Sequence, residues 1–428
     1  MKNRLKYISI LICGILIISI NATGLSQKPI ITLKENSVND LDIIDMITKI
    51  NESRVIYFYQ NLLSFGVRYT GTINCTMAGD WIYSEFEKMG LYVEFHDWSF
   101  EKFQAKNVVA TLPGTDPSSN AIFIICAHYD TVKNSPGAND DGSGVVAVLS
   151  IAEILSKYSF NHTIKFITFS GEEVGTYGSF NYAREAYNNK DNIIAVLNLD
   201  IIGYAETSEG GKMLRFFQEE PSTWISDFAK KICLKYIDII DLSIESLPNY
   251  AGADNQAFVD YGYDGVWIAQ HDPNWVGHSE NDTLEHINLT YHIKVTKLML
   301  AILTELGIKP INIQVILRTP LEGMGYFKDI PLIELPFAKF YFQRLRGITI
   351  AIGKPTARAE VICKENIKYV IFTIDDMFIF WDDTPPYEWI IHGKAYPLIG
   401  RHTVKVVAYS ETNEVDSDQM DIIFFTLR

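Results

Sequence analysis

Five side chains of metal-binding type, His128, Asp140, Glu173, Asp200 and His278, stand at the ends of apolar runs or just beyond them. The runs read AIFIICAHYD (121–130), TIKFITFSGEE (163–173), IIAVLNLD (193–200) and, less directly, DGVWIAQHDPNWVGH (264–278). A carboxylate or imidazole at the end of an apolar strand is costly unless something pairs with it. Several strands that deliver such groups to one sheet edge would gather them in the crevice outside the strands' carboxyl ends. Nitrogen and carboxylate donors suit zinc, and one shared carboxylate suits two zincs.

The spacing divides the labour further. In AHYDTVKNSPGANDDGSG (127–144), residues 128 and 130 face the same side if the chain is extended. Asp130 is then expected to accept the second N–H of the His128 imidazole and fix its tautomer, without being a ligand itself. Asp140 follows a Gly-containing loop that allows close approach to a metal, and it is the candidate to bridge two cations. In SGEEVGTYGS (170–179), neighbouring carboxylates reach one site only where the strand has ended and the chain turns, as Gly171 and Gly175 permit. Glu173 is then a ligand, while Glu172 stays free as a general base with a raised pKa. Asp200 closes a buried run, where a cation is the economical partner. His278 lies in GHSENDTLEHIN (277–288), a polar loop before a helical pattern. The remaining histidines (His96, His162, His271, His286, His292, His392, His402) read as structural, His271 being the one that also ends an apolar strand. Gly142 and Gly144 do not make a phosphate loop, since neither the P-loop lysine nor a GxGxxG follows.

The elements that must position these groups alternate. Residues 37–66 and 77–90 have helical spacing of apolar positions, and 92–100 and 107–114 read as strands. Between the ligand-bearing runs lie helical patterns at 142–158, 223–236 and 291–307. Such alternation indicates an α/β fold with helices on both faces of a sheet that is mostly parallel, and mixed because of the hairpin-like pair at 92–114. After about residue 310 the texture changes to short β-type runs (RGITIAIG, AEVICKE, KYVIFTID, MFIFWDD, PYEWII, HTVKVVAYS, QMDIIFFTLR) with turn residues between them. That pattern predicts a small β-sandwich. The expected organisation is an N-terminal export segment at 1–24, a catalytic domain at 37–310 and a β domain at 312–428.

Composition bounds the rest. The chain has 428 residues, 47% of them hydrophobic and 13% aromatic, enough for two packed cores and against disorder. Its formal charge of −15 comes without a basic patch interleaved with aromatics, so nucleic acid is excluded as a partner. Residues 1–24 combine Lys2, Arg4 and Lys6 with an apolar run from Ile8 to Ile20 and small residues at Ala22 and Gly24. This reads as a signal peptide or N-terminal membrane anchor, hence a secreted or cell-surface protein. Of the five cysteines, Cys13 falls in that segment, and the spacing of the others excludes a CxxC zinc site. Cys126 reads as a small core residue. Sequons at Asn51, Asn74 and Asn161 are permissive for glycosylation outside the cell.

The blocks HYD, GANDDGSG, GEEVGTYGS, LNLDIIGY and HSENDTLEHI resemble, in order and spacing, the co-catalytic two-zinc aminopeptidase family, which includes secreted leucine aminopeptidases and has glutamate carboxypeptidase and glutaminyl cyclase as relatives. The resemblance covers roughly residues 40–308. It implies a zinc exopeptidase fold of the phosphorylase/hydrolase-like type and two zinc ions per chain. One zinc would be held by His128, Asp140 and Asp200, the other by Asp140, Glu173 and His278. A metal-bridged water would be activated by Glu172, with Asp130 behind the first histidine, and a cis peptide would join Asp140 to Asp141. The implied substrates are peptides with a free N-terminus. The stretch PPYEW…HTVKVVAYS resembles Ig-like modules of exported proteins. Departures are visible too: Gly277 stands where the family's aminopeptidases place a tyrosine before the last histidine, and Tyr250 is the substitute candidate for binding substrate. Asp254, in the same segment, matches a part of the family near the active site. Carboxypeptidase or dipeptidase activity, and a non-catalytic cell-surface binding protein on a peptidase scaffold, are the alternatives.

Overall fold

The computed structural model describes residues 40–219, 222–248, 252–321, 323–335, 349–392 and 398–425. The expected export segment and Tyr250 lie outside these residues. Residues Glu35–Arg428 cluster as one unit by their contacts.

Nine helices are described: α1 (Asp40–Lys49), α2 (Glu52–Leu63), α3 (Ile73–Lys88), α4 (Gly142–Leu155), α5 (Tyr177–Asn189), α6 (Thr223–Lys235), α7 (Ile237–Ile240), α8 (Asn255–Val259) and α9 (Leu289–Ile308). They cover a sheet of β1 (Tyr92–Phe100), β2 (Phe103–Leu112), β3 (Ala121–His128), β4 (Thr163–Phe169), β5 (Asn192–Leu199), β6 (Met213–Gln218), β7 (Ser243–Pro248) and β8 (Gly265–Gln270). The strand order is β1-β2-β4-β3-β5-β8-β6-β7. β4, β3, β5 and β8 are neighbours and parallel, so their carboxyl ends share one edge. The β1–β2, β2–β4 and β6–β8 pairs are antiparallel, which makes the sheet mixed.

Both faces are covered. α4 is buried on every side except Glu153, because it lies between the sheet and the helices α2 and α9. On the opposite face Phe180 and Ala183 of α5, with Ala257 and Phe258 of α8, close over Ile124, Cys126 and Ile167. The expected helix at 37–66 is two helices. Asn51 is extended and its side chain accepts from the Arg54 N–H, capping α2 and breaking the run. α5, β6 and β7 have no counterpart in the expected elements. No helix among the described residues is long and apolar enough to cross a membrane.

The C-terminal strands are β9 (Ile313–Thr319), β10 (Met324–Phe327), β11 (Ile330–Glu334), β12 (Thr349–Ile352), β13 (Thr356–Cys363), β14 (Ile367–Ile374), β15 (Met377–Asp382), β16 (Tyr387–Ile390), β17 (Ile399–Ser410) and β18 (Val415–Phe425). They form a seven-stranded sheet, β11-β10-β12-β18-β17-β14-β15, and a three-stranded one, β16-β13-β9. Alternate residues such as Val370, Phe372, Val404, Val406 and Ile422 turn inward onto Trp389 and Val315. Two pairs, β10–β12 and β12–β18, are parallel. This β part meets the α/β part through Asn192 and Gln314, whose side-chain amides exchange two hydrogen bonds of 2.8 and 2.7 Å.

Candidate metal centre

The shared edge of β4, β3, β5 and β8 gathers the five singled-out residues. His128 is the last residue of β3, Asp200 follows β5, and Glu172 and Glu173 lie in the turn after β4. Asp140 stands just before α4, and His278 lies in the loop that follows β8. Two sets converge, His128 with Asp140 and Asp200, and Asp140 with Glu173 and His278; within each set one donor atom per residue lies within 4.8 Å of the others.

Asp140 faces both ways. Its Oδ1 is 3.4 Å from His128 Nε2, and its Oδ2 is 3.1 Å from His278 Nε2. His128 Nε2 is 3.8 Å from Asp200 Oδ1, and His278 Nε2 is 3.2 Å from Glu173 Oε2. Glu172 belongs to neither set, yet its carboxylate lies 3.8 Å from His128 Nε2. The first set is deeply placed, whereas the His278 side chain is 60% exposed and its backbone is left-handed, at φ +56°.

Such a gathering of acids is electrostatically costly without a cation. Burial pushes the carboxyls of Glu172, Glu173 and Asp200 above their ordinary range, and neighbouring carboxylates add to the shift. For His128, burial opposes the charged form, but Asp130, Asp140 and Asp200 outweigh it and raise its pKa. Asp140 and Glu173 raise His278 to about 11. For Asp140, burial acts upward, but the two histidines win and hold its carboxyl below the usual range. One imidazole and two carboxylates in each set, with one carboxylate common to both, fit a pair of zinc ions. Bound cations would replace the protons that these pKa values now hold on the site.

The turn after β4 is fixed from behind. The Trp98 indole donates to Ser170 Oγ at 3.0 Å, and Asn107 bonds both the Ser170 N–H and the Gly178 carbonyl. Gly178 is required there, since a Cβ would fall 2.0 Å from the Ser170 carbonyl oxygen. The Asp130 carboxylate accepts from the N–H groups of Glu172 and Glu173 at 3.2 and 3.3 Å. It also accepts from the Thr70 hydroxyl.

Asp130 departs in part from expectation. β3 ends at His128, so Asp130 has left the strand, and the nearest of its oxygens to His128 Nδ1 is its main-chain carbonyl at 3.2 Å. The carboxylate stands 3.6 Å away and serves the glutamate turn as well. Asp254 is buried just before α8, beside Ser179, and burial lifts it to about 7. A Cβ at Gly277 would lie 2.4 Å from Asn274 Nδ2, so a tyrosine there would displace Asn274.

The hydrogen-bonding roles of Asp141 and Asp282 escaped the sequence reading. Asp141, joined to Asp140 by a cis peptide, caps α4. Its carboxylate accepts from the N–H groups of His128, Gly144 and Ile201, tying the ends of β3 and β5 to the helix. Asp282 accepts from the Asn139 and Asp140 N–H groups. The signals available were an acid at a helix start and an acid four residues beyond a candidate histidine. Of the histidines read as structural, His292 is buried against the Ser143 carbonyl and pushed down to about 4, and His271 pairs with Asp272, outside both sets.

The family model for Peptidase family M28 matches residues 107–303. A probable leucine aminopeptidase of Trichophyton verrucosum (strain HKI 0517) is 26% identical, over 67% of this chain and 82% of its own. A probable zinc metalloprotease of Pyrenophora tritici-repentis (strain Pt-1C-BFP) is also 26% identical, over 59% of this chain and 69% of its own. Among solved structures, the LapA aminopeptidase of Legionella pneumophila superposes with a TM-score of 0.58 at 21% identity, covering 64% of this chain and 76% of that one. A glutaminyl cyclase of Fimbriiglobus ruber gives 0.51 at 18% identity, covering 60% and 95%. The residues matched by the family model lie within the α/β part.

Proposed function

We propose that this chain, whose residues 107–303 match the model for Peptidase family M28, is an exported zinc-dependent aminopeptidase acting on peptides with a free N-terminus, with residues that would hold two zincs and share Asp140. His128, Asp140 and Asp200 would hold one, and Asp140, Glu173 and His278 the other. The observation that carries this reading is Asp140 itself, which turns one carboxylate oxygen to each histidine.

Zinc in such sites acts as a Lewis acid toward a carbonyl oxygen and makes water acidic near neutral pH. The protein's own groups do the rest. Glu172 is a carboxylate at the site that neither set uses, and the Asp130 carboxylate fixes its backbone. It takes the proton of the attacking water and returns it to the leaving amine. Burial is the first cause of its raised pKa, the direction that makes a carboxylate a better proton acceptor. A free α-amine would bind at the second metal position or its carboxylates, which would account for action at the N-terminus. Residues 1–24 would direct export, leaving the domain at 37–310 to act outside the cell or at its surface. The β domain at 312–428 would act as a spacer or recruiting unit.

Glu172→Gln keeps size and both donor sets. It is expected to lower kcat by about 100- to 10,000-fold while the chain binds as much zinc as before. Near-wild-type turnover in that variant contradicts the assignment of Glu172.

A further inference from the structure

The segment between β3 and α4 carries His128 at one end and Asp140 at the other, yet residues 129–140 contain no helix or strand. Its main-chain groups are instead bound by two buried ions, one on each side. Arg68 is fully buried in the connection between α2 and α3. Its guanidinium donates to three carbonyls of the segment, from Nε to Tyr129 at 2.7 Å, from Nη1 to Pro136 at 2.7 Å and from Nη2 to Gly137 at 3.0 Å. The Arg68 N–H also donates to Thr131 Oγ1 at 3.0 Å. Asp282, equally buried, takes three successive N–H groups, Ala138 through its main-chain carbonyl at 3.1 Å, Asn139 at 2.8 Å and Asp140 at 3.0 Å through its two carboxylate oxygens.

The fit is close. A Cβ at Gly137, where φ is +65°, would lie 2.6 Å from the Asp140 carbonyl oxygen and 2.9 Å from Arg68 Nη2. The hydrogen bonds of the guanidinium go to carbonyls, while Asp282, Asp130 and Asp141 act on it only through space. A buried cation satisfied by carbonyls alone is an expensive way to fill a core, since an apolar side chain of like volume often serves stability as well. What the arginine supplies is a planar fork that fixes several carbonyls at once.

Resting on the two-zinc reading, we propose that Arg68 and Asp282 are positioning residues: they clamp the 129–140 segment by its carbonyls and its amides, and so hold the Asp140 carboxylate between the two histidines before metal arrives. Neither side chain belongs to a donor set. Both act through Asp140, the donor common to both metal positions, so loosening either end should weaken zinc at both. Asp282 adds a mechanical link, because it lies four residues beyond His278 and joins the His278 loop to the Asp140 loop.

The test uses the full chain, Arg68→Lys and Asp282→Asn, with Glu85→Gln as control. Glu85 is also buried and charged, but it pairs with Lys88 and Tyr57 in α3 and α2, away from the segment. Zinc affinity is measured by competition with a chromogenic chelator, alongside the melting temperature of the metal-free proteins and the visible spectrum of the cobalt-loaded ones. The clamp predicts about 10- to 100-fold weaker zinc in both steps for each clamp variant. It also predicts an altered cobalt spectrum, while Glu85→Gln is destabilised with zinc affinity and spectrum unchanged. Clamp variants that bind zinc within about twofold of wild type overturn it, as does a control that loses zinc equally. Should Arg68→Lys fail to fold, Asp282→Asn decides alone. A wild-type chain that takes up no zinc contradicts the metal reading itself, which is a separate result.

Discussion

The α/β part and the β part of this chain bury charge very differently. In the β part the buried polar residues among those described are Thr349, Thr356, Thr373 and Ser410, all neutral hydroxyls. Its half-buried acids, Asp416 and Asp418, accept from the Val315 and Leu317 N–H groups of β9. The α/β part buries Arg68, His128, Asp130, Asp141, Asp200, Asp254 and Asp282 around one sheet edge. Buried charge is retained against a solvation cost. Where it is absent, packing explains the structure. Where several buried carboxylates converge with histidines, as at this sheet edge, a site that meets cations explains them. Among the described residues the β part therefore holds no cluster of buried charge like the one at the edge of the α/β sheet.

That contrast breaks most sharply at Asp140. Asp140→Asn removes a charged donor from both sets. It should cost more than the 10- to 100-fold typical of residues behind a ligand, so a loss of activity beyond about 100-fold is expected, together with loss of zinc. Zinc retention with full activity would erase the difference between the two parts.

Acidity sharpens it next. Glu172, Glu173 and Asp200 keep protons in the folded, metal-free protein that the unfolded chain has shed, as does Asp254, raised to about 7. His278, raised to about 11, also holds its proton longer when folded. Each contributes stability that is lost as pH rises through its folded pKa. His96 and His292 have lowered values and oppose this only below the ordinary histidine value of 6.5. Asp140, lowered, titrates far below neutrality. Between about pH 6.5 and 8.5 the metal-free protein should lose melting temperature, and saturating zinc should reduce that loss. Calorimetry at the two pH values checks both.

In the β part the effects should be on stability alone. Phe372, fully buried between the two β-sheets, should cost about 3–5 kcal/mol as Phe372→Ala, with zinc content and activity of the folded protein unchanged. The smallest effect belongs to the seam. Asn192→Ala removes the paired amide contact with Gln314, and about 1 kcal/mol in chemical denaturation is expected.

What was legible in the chain follows the same division. The strands that carry the candidate ligands could be read because they are long apolar runs ending in a charge, a pairing that packing alone does not favour. β1 begins and ends as expected at 92 and 100, and α4 and α9 deviate by a few residues at their ends. α5 was hidden because its apolar positions, Phe180, Ala183 and Ala186, are diluted by tyrosines, asparagines and Gly178 directly after the glutamate turn. β6 and β7 are short strands at the sheet's margin, where alternation is weak. β9 was missed because its Val315 and Leu317 N–H groups are bound by the Asp416 and Asp418 side chains, which no local pattern announces. Arg68 was invisible for a similar reason: its bonds are to carbonyls about sixty residues away in sequence, and FGVRYTG has no periodicity. Residue type at the end of a strand is local information; what holds the loops between strands is not.

The central claim is that this edge cuts peptides from the N-terminus. The most direct measurement takes the zinc-loaded chain lacking residues 1–24 and follows amino-acid release from three versions of one peptide: unmodified, N-acetylated and C-terminally amidated. Release from the unmodified and amidated peptides, with the acetylated one resistant, is the predicted result. Resistance of the amidated peptide alone would contradict it and indicate a carboxypeptidase, and cleavage of none would contradict peptidase action on a free N-terminus altogether.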